Sequence, residues 1–249
     1  MPTIADRIAQ TVAANRIGTV TERFFHADSY GYRPGRGAHE ALAVARKRCW
    51  EFDWVLESGI RAFSGSVPHD LVGRAVEGLG LPAWVLLYVK RWLTAPVVMP
   101  DGGARARDRG TPQGSAVSPV LANLFLHWAF DAWMGREFPD CPFESYADDG
   151  LIHCKTQARA RQVLAALEQR MTEAGLDLHP DKTRIIYCKD SRRRKPWDGP
   201  VSSGFLGYAF RPRDTTGNRQ VHRIRPGSQP EGGQADEPGR HRLAAAPAH

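Results

Sequence analysis

CPFESYADDGLIHC, residues 141–154, is the stretch that decides the fold. Two apolar runs flank the adjacent carboxylates Asp148 and Asp149, which are followed by Gly150. An Asp-Asp-Gly centre between two strand-forming runs is typical of a β-hairpin. A solvated hairpin tip explains these residues without any chemistry. Two carboxylates on a rigid tip are also oxygen ligands of the kind that Mg²⁺ takes at a two-metal site. Both interpretations stay open on this stretch alone.

The composition is that of a globular protein. The chain has 249 residues, 42% of them hydrophobic, with 7 Trp and 10 Phe, which is enough for a sizeable core in one or two domains. No apolar run approaches the roughly 20 residues of a membrane span, and residues 1–16 are too charged for a secretory signal. We therefore expect a cytoplasmic protein with no membrane partner. The 4 cysteines are widely spaced, so we expect reduced core thiols rather than zinc or disulfides.

The net charge of +7 is concentrated in the last quarter of the chain. Residues 1–188 hold 22 Lys and Arg against 21 Asp and Glu, whereas residues 189–249 hold 12 against 6. The first part is therefore nearly neutral and the second carries the excess. Because the excess lies in one segment, the charge of the whole chain is weak support for nucleic-acid binding.

Hydrophobic periodicity predicts both helices and strands up to residue 210. Helical patterns cover residues 38–51, 82–93, 113–134 and 157–174. The predicted strands are Trp54–Ile60, Val97–Met99, Phe143–Tyr146, Leu151–Cys154, Thr183–Cys188 and Gly204–Phe210. Helices over an antiparallel sheet that contains a hairpin predict an α+β domain.

The composition changes after Phe210. No aromatic residue follows it, and Val221, Ile224 and Leu243 are the only large aliphatic residues in the remainder. Such a segment buries too little apolar surface to offset its ordering entropy. We therefore expect residues 214–249 to be disordered, and we interpret the abrupt change as a sign of a frameshift near codon 213.

Five segments in order carry a resemblance to a known family. They are HADSYGYRPGRGAHEAL (26–42), RGTPQGSAVSPVLANLFLHWAFDAWM (109–134), the 141–154 hairpin, LHPDKTRIIYC (178–188) and SGFLGYAFRPR (203–213). Together they resemble the successive motifs of group II intron reverse transcriptases, RNA-directed DNA polymerases that double as intron maturases. The resemblance implies a reverse-transcriptase palm, an antiparallel sheet backed by helices, with partial fingers.

The resemblance also implies a division of the chain into three parts. Residues 1–51 correspond to partial fingers and the entry to the palm, residues 52–213 to the palm, and residues 214–249 to the tail. The first residues resemble the middle of a family segment, and the family continues past the palm into thumb and maturase regions. We therefore expect a fragment truncated at both ends.

A two-metal nucleotidyl-transfer site is the chemistry that the resemblance implies. Asp148 and Asp149, preceded by Tyr146, would be catalytic and would bind Mg²⁺. The residues implied in nucleotide or template binding are Arg33, Arg36, Gln113, Gly114 and Lys182. Helix N-termini, guanidinium groups and ammonium groups are suited to phosphate and pyrophosphate. The implied partners are intron RNA or another RNA template with a DNA primer, and dNTPs. The oligomeric state stays open.

One motif departs from the family pattern. The family strand usually reads F-D-I-(K/R)-x-F-F-D, and its first aspartate is the third metal ligand, whereas residues 54–70 read WVLESGIRAFSGSVPHD. In register, Gly59 replaces that aspartate, and Ser64 replaces a bulky residue that excludes the ribose 2′-hydroxyl. Glu57 lies about 7 Å from Gly59 along a strand, from where a water-mediated contact with a metal offers little rescue. We therefore expect little or no polymerase activity.

Two functions remain open on the sequence. The first is a group II intron-type RNA-directed DNA polymerase with an impaired site. The second is a catalytically inactive palm remnant that acts at most as an RNA-binding fragment. A third, an unrelated α+β binding domain, would require the order of five motifs to be a coincidence.

Overall fold

The structure is a computed structural model that describes residues 2–98, 102–112, 114–189, 193 and 195–211, and the backbone of residues 223–226. Its α-helices are α1 (Ile4–Thr21), α2 (Ala38–Glu51), α3 (Phe63–Ser66), α4 (His69–Glu77), α5 (Ala83–Thr94), α6 (Ser118–Leu126), α7 (Ala132–Glu137) and α8 (Gln157–Glu173). Its strands are β1 (Trp54–Gly59), β2 (Val97–Val98), β3 (Ala104–Arg105), β4 (Phe143–Tyr146), β5 (Asp149–Cys154), β6 (Arg184–Tyr187), β7 (Ser203–Phe205), β8 (Tyr208–Arg211) and β9 (Arg223–Pro226).

The central sheet contains four antiparallel strands in the order β4-β5-β1-β6. Alternate residues of β1 face opposite sides of this sheet, as the twofold period of a strand requires. Leu56 belongs to the larger hydrophobic cluster, with Ile152 of β5, and Val55 belongs to a second cluster, with Leu151. All four side chains are almost fully buried, and each such burial contributes about 1.5–3 kcal/mol.

Helices and a hairpin cover the two faces of this sheet. Residues of α4, α5, α6 and α8 complete the larger cluster, and α8 contacts β1, β5 and β6 directly. On the other face, α2 contacts β4 and β5, and the hairpin of β7 and β8 contributes Phe205 and Phe210 to the second cluster. The observed architecture confirms the predicted α+β class.

Three predicted helices are confirmed to within one residue: α2, α5 and α8. The longest prediction, residues 113–134, is wrong at its start because α6 begins only at Ser118. Gly114 has a φ of 75°, a left-handed conformation that a helix cannot contain. The prediction also missed a π-helical turn, His127–Asp131, between α6 and α7. Arg170 of α8 donates to the carbonyl oxygens of two residues in this turn, Trp128 and Ala129, each at 3.0 Å.

Two further predictions need correction. The predicted strand Gly204–Phe210 is a hairpin, because Leu206 and Gly207 both have positive φ values, 53° and 77°, and form a two-residue turn between β7 and β8. Disorder was expected beyond residue 213, yet β9 pairs with the free edge of β8 through its backbone. The rest of that tail lies outside the described residues, as does Met99 of the predicted second strand.

Candidate active site

The acidic hairpin is formed by β4 and β5. Tyr146 pairs with Asp149, so Ala147 and Asp148 form the two-residue turn. Ala147 has a φ of 53°, a strained conformation for a residue with a Cβ atom. Asp148 therefore lies at the tip, and Asp149 is the first residue of β5. Gly150, which the sequence placed in the turn, lies within β5.

The segment before α2 holds this hairpin in place. The backbone N–H of Tyr30 donates to the carbonyl of Ser145 at 2.9 Å, and the N–H of Ser145 donates to the carbonyl of Asp28 at 2.9 Å. A Cβ atom on Gly31 would lie 2.5 Å from the backbone nitrogen of Ala147. Only glycine therefore allows this segment to approach the acidic turn so closely.

Gly59 lies directly opposite Asp149. The two residues are Cα partners in the pairing of β1 with β5. A Cβ atom on Gly59 would lie 2.9 Å from Cδ and 3.0 Å from Cβ of Lys182, and 3.6 Å from Oδ1 of Asp149. The aliphatic stem of Lys182 thus fills the space that a side chain at position 59 would occupy.

The ammonium group of Lys182 also contacts Asp149. Its Nζ atom lies 3.4 Å from Oδ1 of Asp149, whose side chain is 37% exposed. Burial raises the pKa of the Asp149 carboxyl above its ordinary value, the Lys182 charge lowers it, and the charge of Asp148 raises it again. Asp149 is therefore paired with a cation that the protein itself supplies.

Glu57 is not available for water-mediated rescue of a metal. Its carboxylate is buried and accepts hydrogen bonds from the Ser203 hydroxyl at 2.8 Å and from the backbone N–H of Gly204. Arg184 donates to its other oxygen at 2.6 Å. Glu57 therefore joins β7 to the central sheet, in line with the expectation that it offers a metal little rescue.

The residues present do not fit a pair of divalent cations. Of the three carboxylates that the resemblance implies, the chain has Asp148 and Asp149, and the aliphatic stem of Lys182 lies over Gly59 at the third position. Within the described part of the chain, no group of three or more His, Cys, Asp and Glu side chains is placed to hold a metal ion. A two-metal centre needs carboxylates from more than one strand to neutralise its charge.

A cavity of about 330 Å³ borders Asp148. Ser64 and Gly114 line it, so the structure brings together three of the residues implied by the sequence. Gln113 lies outside the described residues. Tyr32 also lines the cavity, is 64% exposed and stands 6.2 Å from the ring of Tyr146. Tyr32 was not predicted as a site residue, although it lies within the motif HADSYGYRPGRGAHEAL (26–42).

A second, polar cavity of about 230 Å³ borders Asp149 on the other side. Lys182 and Arg184 line it, together with Asp181 and the turn of the β7–β8 hairpin. Glu57 and Asp149 also line it and pair with Arg184 and Lys182, respectively. The acidic hairpin therefore separates two cavities, one at each carboxylate.

The family profile for reverse transcriptase (RNA-dependent DNA polymerase) matches residues 1–210. The chain belongs to the reverse transcriptase family. Members of this family generally use divalent metal ions, and the match over residues 1–210 confirms the resemblance found in the sequence.

None of the described helices is long and apolar enough to cross a membrane.

Curated relatives include group II intron-encoded proteins. Protein YkfC of Escherichia coli K12 is 31% identical over 144 residues, which cover 55% of this chain and 37% of YkfC. The group II intron-encoded protein LtrA of Lactococcus lactis subsp. cremoris is 24% identical over 131 residues, 51% of this chain and 21% of LtrA. The chain therefore spans less than two fifths of the length of these relatives.

Solved telomerase structures share the fold. The telomerase of Candida tropicalis in complex with a TWJ fragment of telomeric RNA has a TM-score of 0.61 at 10% identity, over 84% of this chain and 36% of that one. The Candida albicans telomerase with its TWJ fragment has a TM-score of 0.58 at 12% identity, over 82% and 36%. At these identities the likeness concerns the fold, and it confirms the reverse-transcriptase palm.

Arg33 does not reach either cavity of this reverse-transcriptase palm. Its guanidinium is buried and pairs with Glu22 at 2.8 Å, and it donates to the carbonyl oxygens of His26 and Ser29 at 2.7 and 2.6 Å. It also lies over the ring of Phe25, 5.2 Å from its centroid. Four of its five N–H groups are thus engaged within the protein, and Arg33 orders the segment that supports the acidic turn.

Arg36 lines neither cavity, whereas Tyr146 ends β4 directly before the acidic turn. Arg36 pairs with Glu40 of α2 at 2.6 Å and lies over the ring of Tyr30, and its side chain is 29% exposed. Tyr146 is partly buried at the end of β4, where it packs against the second cluster. Arg36 therefore keeps part of its guanidinium open to a ligand, in contrast to Arg33.

Proposed function

We propose that the chain is the palm of a group II intron-type RNA-directed DNA polymerase. Its active site lacks one of the carboxylates that would bind the metal ions. The observation that carries the proposal is the absence of a side chain opposite Asp149, together with the stem of Lys182 in the vacated space at Gly59. The substrates would be an RNA template, intron RNA included, with a DNA primer and dNTPs. Mg²⁺ would be the cation that the reaction requires.

The charge of the site explains why the loss is severe. Asp148 and Asp149 beside the ammonium of Lys182 leave a formal charge of −1, whereas an aspartate at position 59 would leave −2. Divalent cations are held by anionic oxygens, so the site holds them less tightly. Loss of a residue that only supports a metal ligand lowers activity or affinity about 10–100-fold, and loss of a direct ligand lowers it further.

The cavity beside Asp148 supports the nucleotide part of the proposal. Gly114 at its wall lets a backbone approach a phosphate closely, and Tyr32 offers an exposed ring to a base. Ser64 is small where the family pattern has a bulky residue, so we propose that the ribose 2′-hydroxyl is excluded weakly. On the other side, Lys182 and Arg184 would face the phosphates of the primer strand or the leaving pyrophosphate.

Primer extension with variants at Gly59 tests the proposal. Gly59→Asp restores the missing carboxylate, and we expect it to extend a DNA primer on an RNA template in Mg²⁺ at least ~10-fold faster than the unmodified chain. Gly59→Ala is the matched control, because its Cβ displaces Lys182 in the same way but brings no carboxylate. Gly65→Asp adds the same charge at a position where a Cβ atom meets nothing within 4 Å. Equal rates in all four proteins would contradict the proposal.

A catalytically inactive palm remnant that binds RNA is the second candidate. The same missing carboxylate favours it, because binding of RNA does not depend on that group. It predicts that Gly59→Asp extends no primer while the unmodified chain still binds a labelled RNA. Fluorescence anisotropy at several salt concentrations measures this binding, and a decline with salt would identify phosphate contacts.

A further inference from the structure

Two cysteines meet at the open end of the acidic hairpin. The Sγ atoms of Cys141 and Cys154 are 3.8 Å apart, and both residues are buried and unbridged. Cys154 is the last residue of β5, and Cys141 lies two residues before β4. The two thiols therefore close a loop that contains both Asp148 and Asp149.

The strand register makes this pair suitable for a disulfide. Phe143 pairs with Ile152, so Cys141 lies opposite Cys154 when the register is continued. The N–H of His153 donates to the carbonyl of Pro142 at 2.8 Å, which makes the intervening pair the hydrogen-bonded one. The cysteines thus occupy a non-hydrogen-bonded position, where Cα atoms are about 4.5 Å apart. A disulfide accommodates this separation.

Arg159 of α8 lies close to the two thiols. Its guanidinium pairs with the exposed carboxylate of Asp140 and lies 4.8 Å from the ring centroid of Phe138. The hydrogen bond from Cys154 and the nearby Arg159 lower the pKa of the Cys141 thiol, whereas the contact with Cys141 and burial raise that of Cys154. Cys141 is therefore the better nucleophile of the pair, although burial and the Asp140 carboxylate, 3.7 Å from its Sγ atom, oppose the lowering of its pKa.

We propose that Cys141 and Cys154 form a reversible disulfide when the protein meets hydrogen peroxide. The Cys141 thiolate attacks one peroxide oxygen, the O–O bond breaks, hydroxide leaves, and a sulfenic acid forms. The sulfur of Cys154 then displaces the sulfenic hydroxyl, which leaves with the Cys154 proton as water, and the S–S bond forms. Two thiols are oxidised and one peroxide is reduced to two waters. A dithiol such as dithiothreitol reverses the step.

The disulfide would clamp the base of the hairpin that carries the acidic turn. It would link the chain before β4 to the end of β5 and close the loop of residues 141–154. Closure of such a loop restricts the unfolded chain, so the oxidised protein is expected to melt about 5–10 °C above the reduced one. The hairpin would become the part of the palm least able to open locally.

Cys49 and Cys188 provide a comparison within the same chain. The two thiols are also neighbours, in the second cluster, and the Cys188 side chain and burial raise the pKa of Cys49 well above its ordinary value. Because the raised pKa of Cys49 lowers its thiolate fraction, we expect this pair to stay reduced at peroxide concentrations that oxidise the first pair.

Thiol counting and peptide mapping of the unmodified full-length chain test the proposal. After brief exposure to peroxide, the 4 thiols should fall to about two, and a non-reduced tryptic digest should contain a peptide that links Cys141 to Cys154. In Cys154→Ser, dimedone should trap a sulfenic acid at Cys141. Retention of all four thiols, or a cross-link between other cysteines alone, would overturn the proposal.

The contribution of Arg159 has its own test. Arg159→Gln should slow peroxide oxidation of Cys141 roughly threefold or more, because the thiolate loses its nearby cation. Arg161→Gln is the matched control, since Arg161 is an exposed arginine of the same helix. Equal oxidation rates in the two variants would show that Arg159 does not accelerate the reaction of Cys141 with peroxide.

Discussion

Asp148 and Asp149 are adjacent in the chain but have contrasting surroundings. Beside Asp148, a cavity of about 330 Å³ is open, and Tyr32, Ser64 and Gly114 line it. Beside Asp149, the Lys182 stem fills the space over Gly59 and its ammonium pairs with the carboxylate. The shape of the site rests on close backbone contacts, whereas its charge rests on a few single side chains.

The largest expected effect comes from disrupting the backbone contact that supports the shape. Gly31→Ala places a Cβ atom 2.5 Å from the nitrogen of Ala147. Both segments contribute backbone atoms to this contact, so neither can move away easily. We expect the free energy of unfolding in urea to fall by about 3 kcal/mol. Gly18→Ala in α1, where a Cβ atom meets nothing within 4 Å, should instead stabilise by about 0.5–1 kcal/mol. Equal effects of the two would disprove the close approach.

The next effect concerns the buried carboxyl beneath the hairpin. Asp131 accepts a hydrogen bond from the Ser145 hydroxyl at 3.1 Å and faces His127, Arg33 and Asp28. Burial raises its pKa from 3.8 to about 7. The folded protein therefore binds an extra proton, and the resulting stability is complete below about pH 4 and lost as the pH rises through 7.

The variant Asp131→Asn should remove this pH dependence. We compare the free energy of unfolding of the variant with that of the unmodified protein at each pH. The variant should gain about 2–4 kcal/mol on the unmodified protein between pH 5 and pH 8. Burial lowers the pKa of the neighbouring His127 to about 4, so His127 stays neutral over this range. Asp70→Asn, an exposed control on α4, should give a constant difference. A flat difference for Asp131→Asn as well would mean that the carboxyl is ionised throughout.

The smallest expected effect comes from a change in the charge beside Asp149. Lys182→Met keeps an aliphatic stem over Gly59 but removes the ammonium from Asp149. We expect the affinity for Mn²⁺, measured by electron paramagnetic resonance, to rise about 3–10-fold, because the local negative charge increases in a partly exposed site. Lys155→Met, just after β5, removes an equal charge at an exposed position and should leave the affinity nearly unchanged. An equal rise in both would indicate a general effect of net charge.

Local patterns predicted the regular elements well and failed where partners are distant. The apolar repeat of α8 and the stop at Gly175 fix that helix within one residue. Helix α1 was not predicted, since Ile4 and Ile8 are exposed while Gln10 is buried, and no apolar stripe marks its inner face. The turn at Leu206 was missed because a leucine with positive φ is uncommon.

The candidate site was also predicted only in part, because some of its contacts join residues that are distant in the chain. The order of motifs placed Gly59 at the position that the structure puts opposite Asp149. It did not specify that the Lys182 stem lies on that glycine, because spacing along the chain does not determine the direction of a side chain. Arg33 was assigned to phosphate, but a guanidinium fork suits a carboxylate equally well, and its partner Glu22 follows a helix that was not predicted.

The π-helical turn between α6 and α7 makes one helical segment present two differently oriented faces. Each residue of an α-helix advances about 100° around its axis, so the wider turn rotates everything after it by roughly one residue. Before the turn, Asn123 donates to the carbonyl of Gly31 at 2.6 Å; after it, Met134 is fully buried in the larger cluster. Deletion of one residue from His127–Asp131 would bring the segment back into α-helical phase, so that only one of these two contacts could be kept. A single-residue insertion or deletion in this segment is therefore a far larger change than any substitution there.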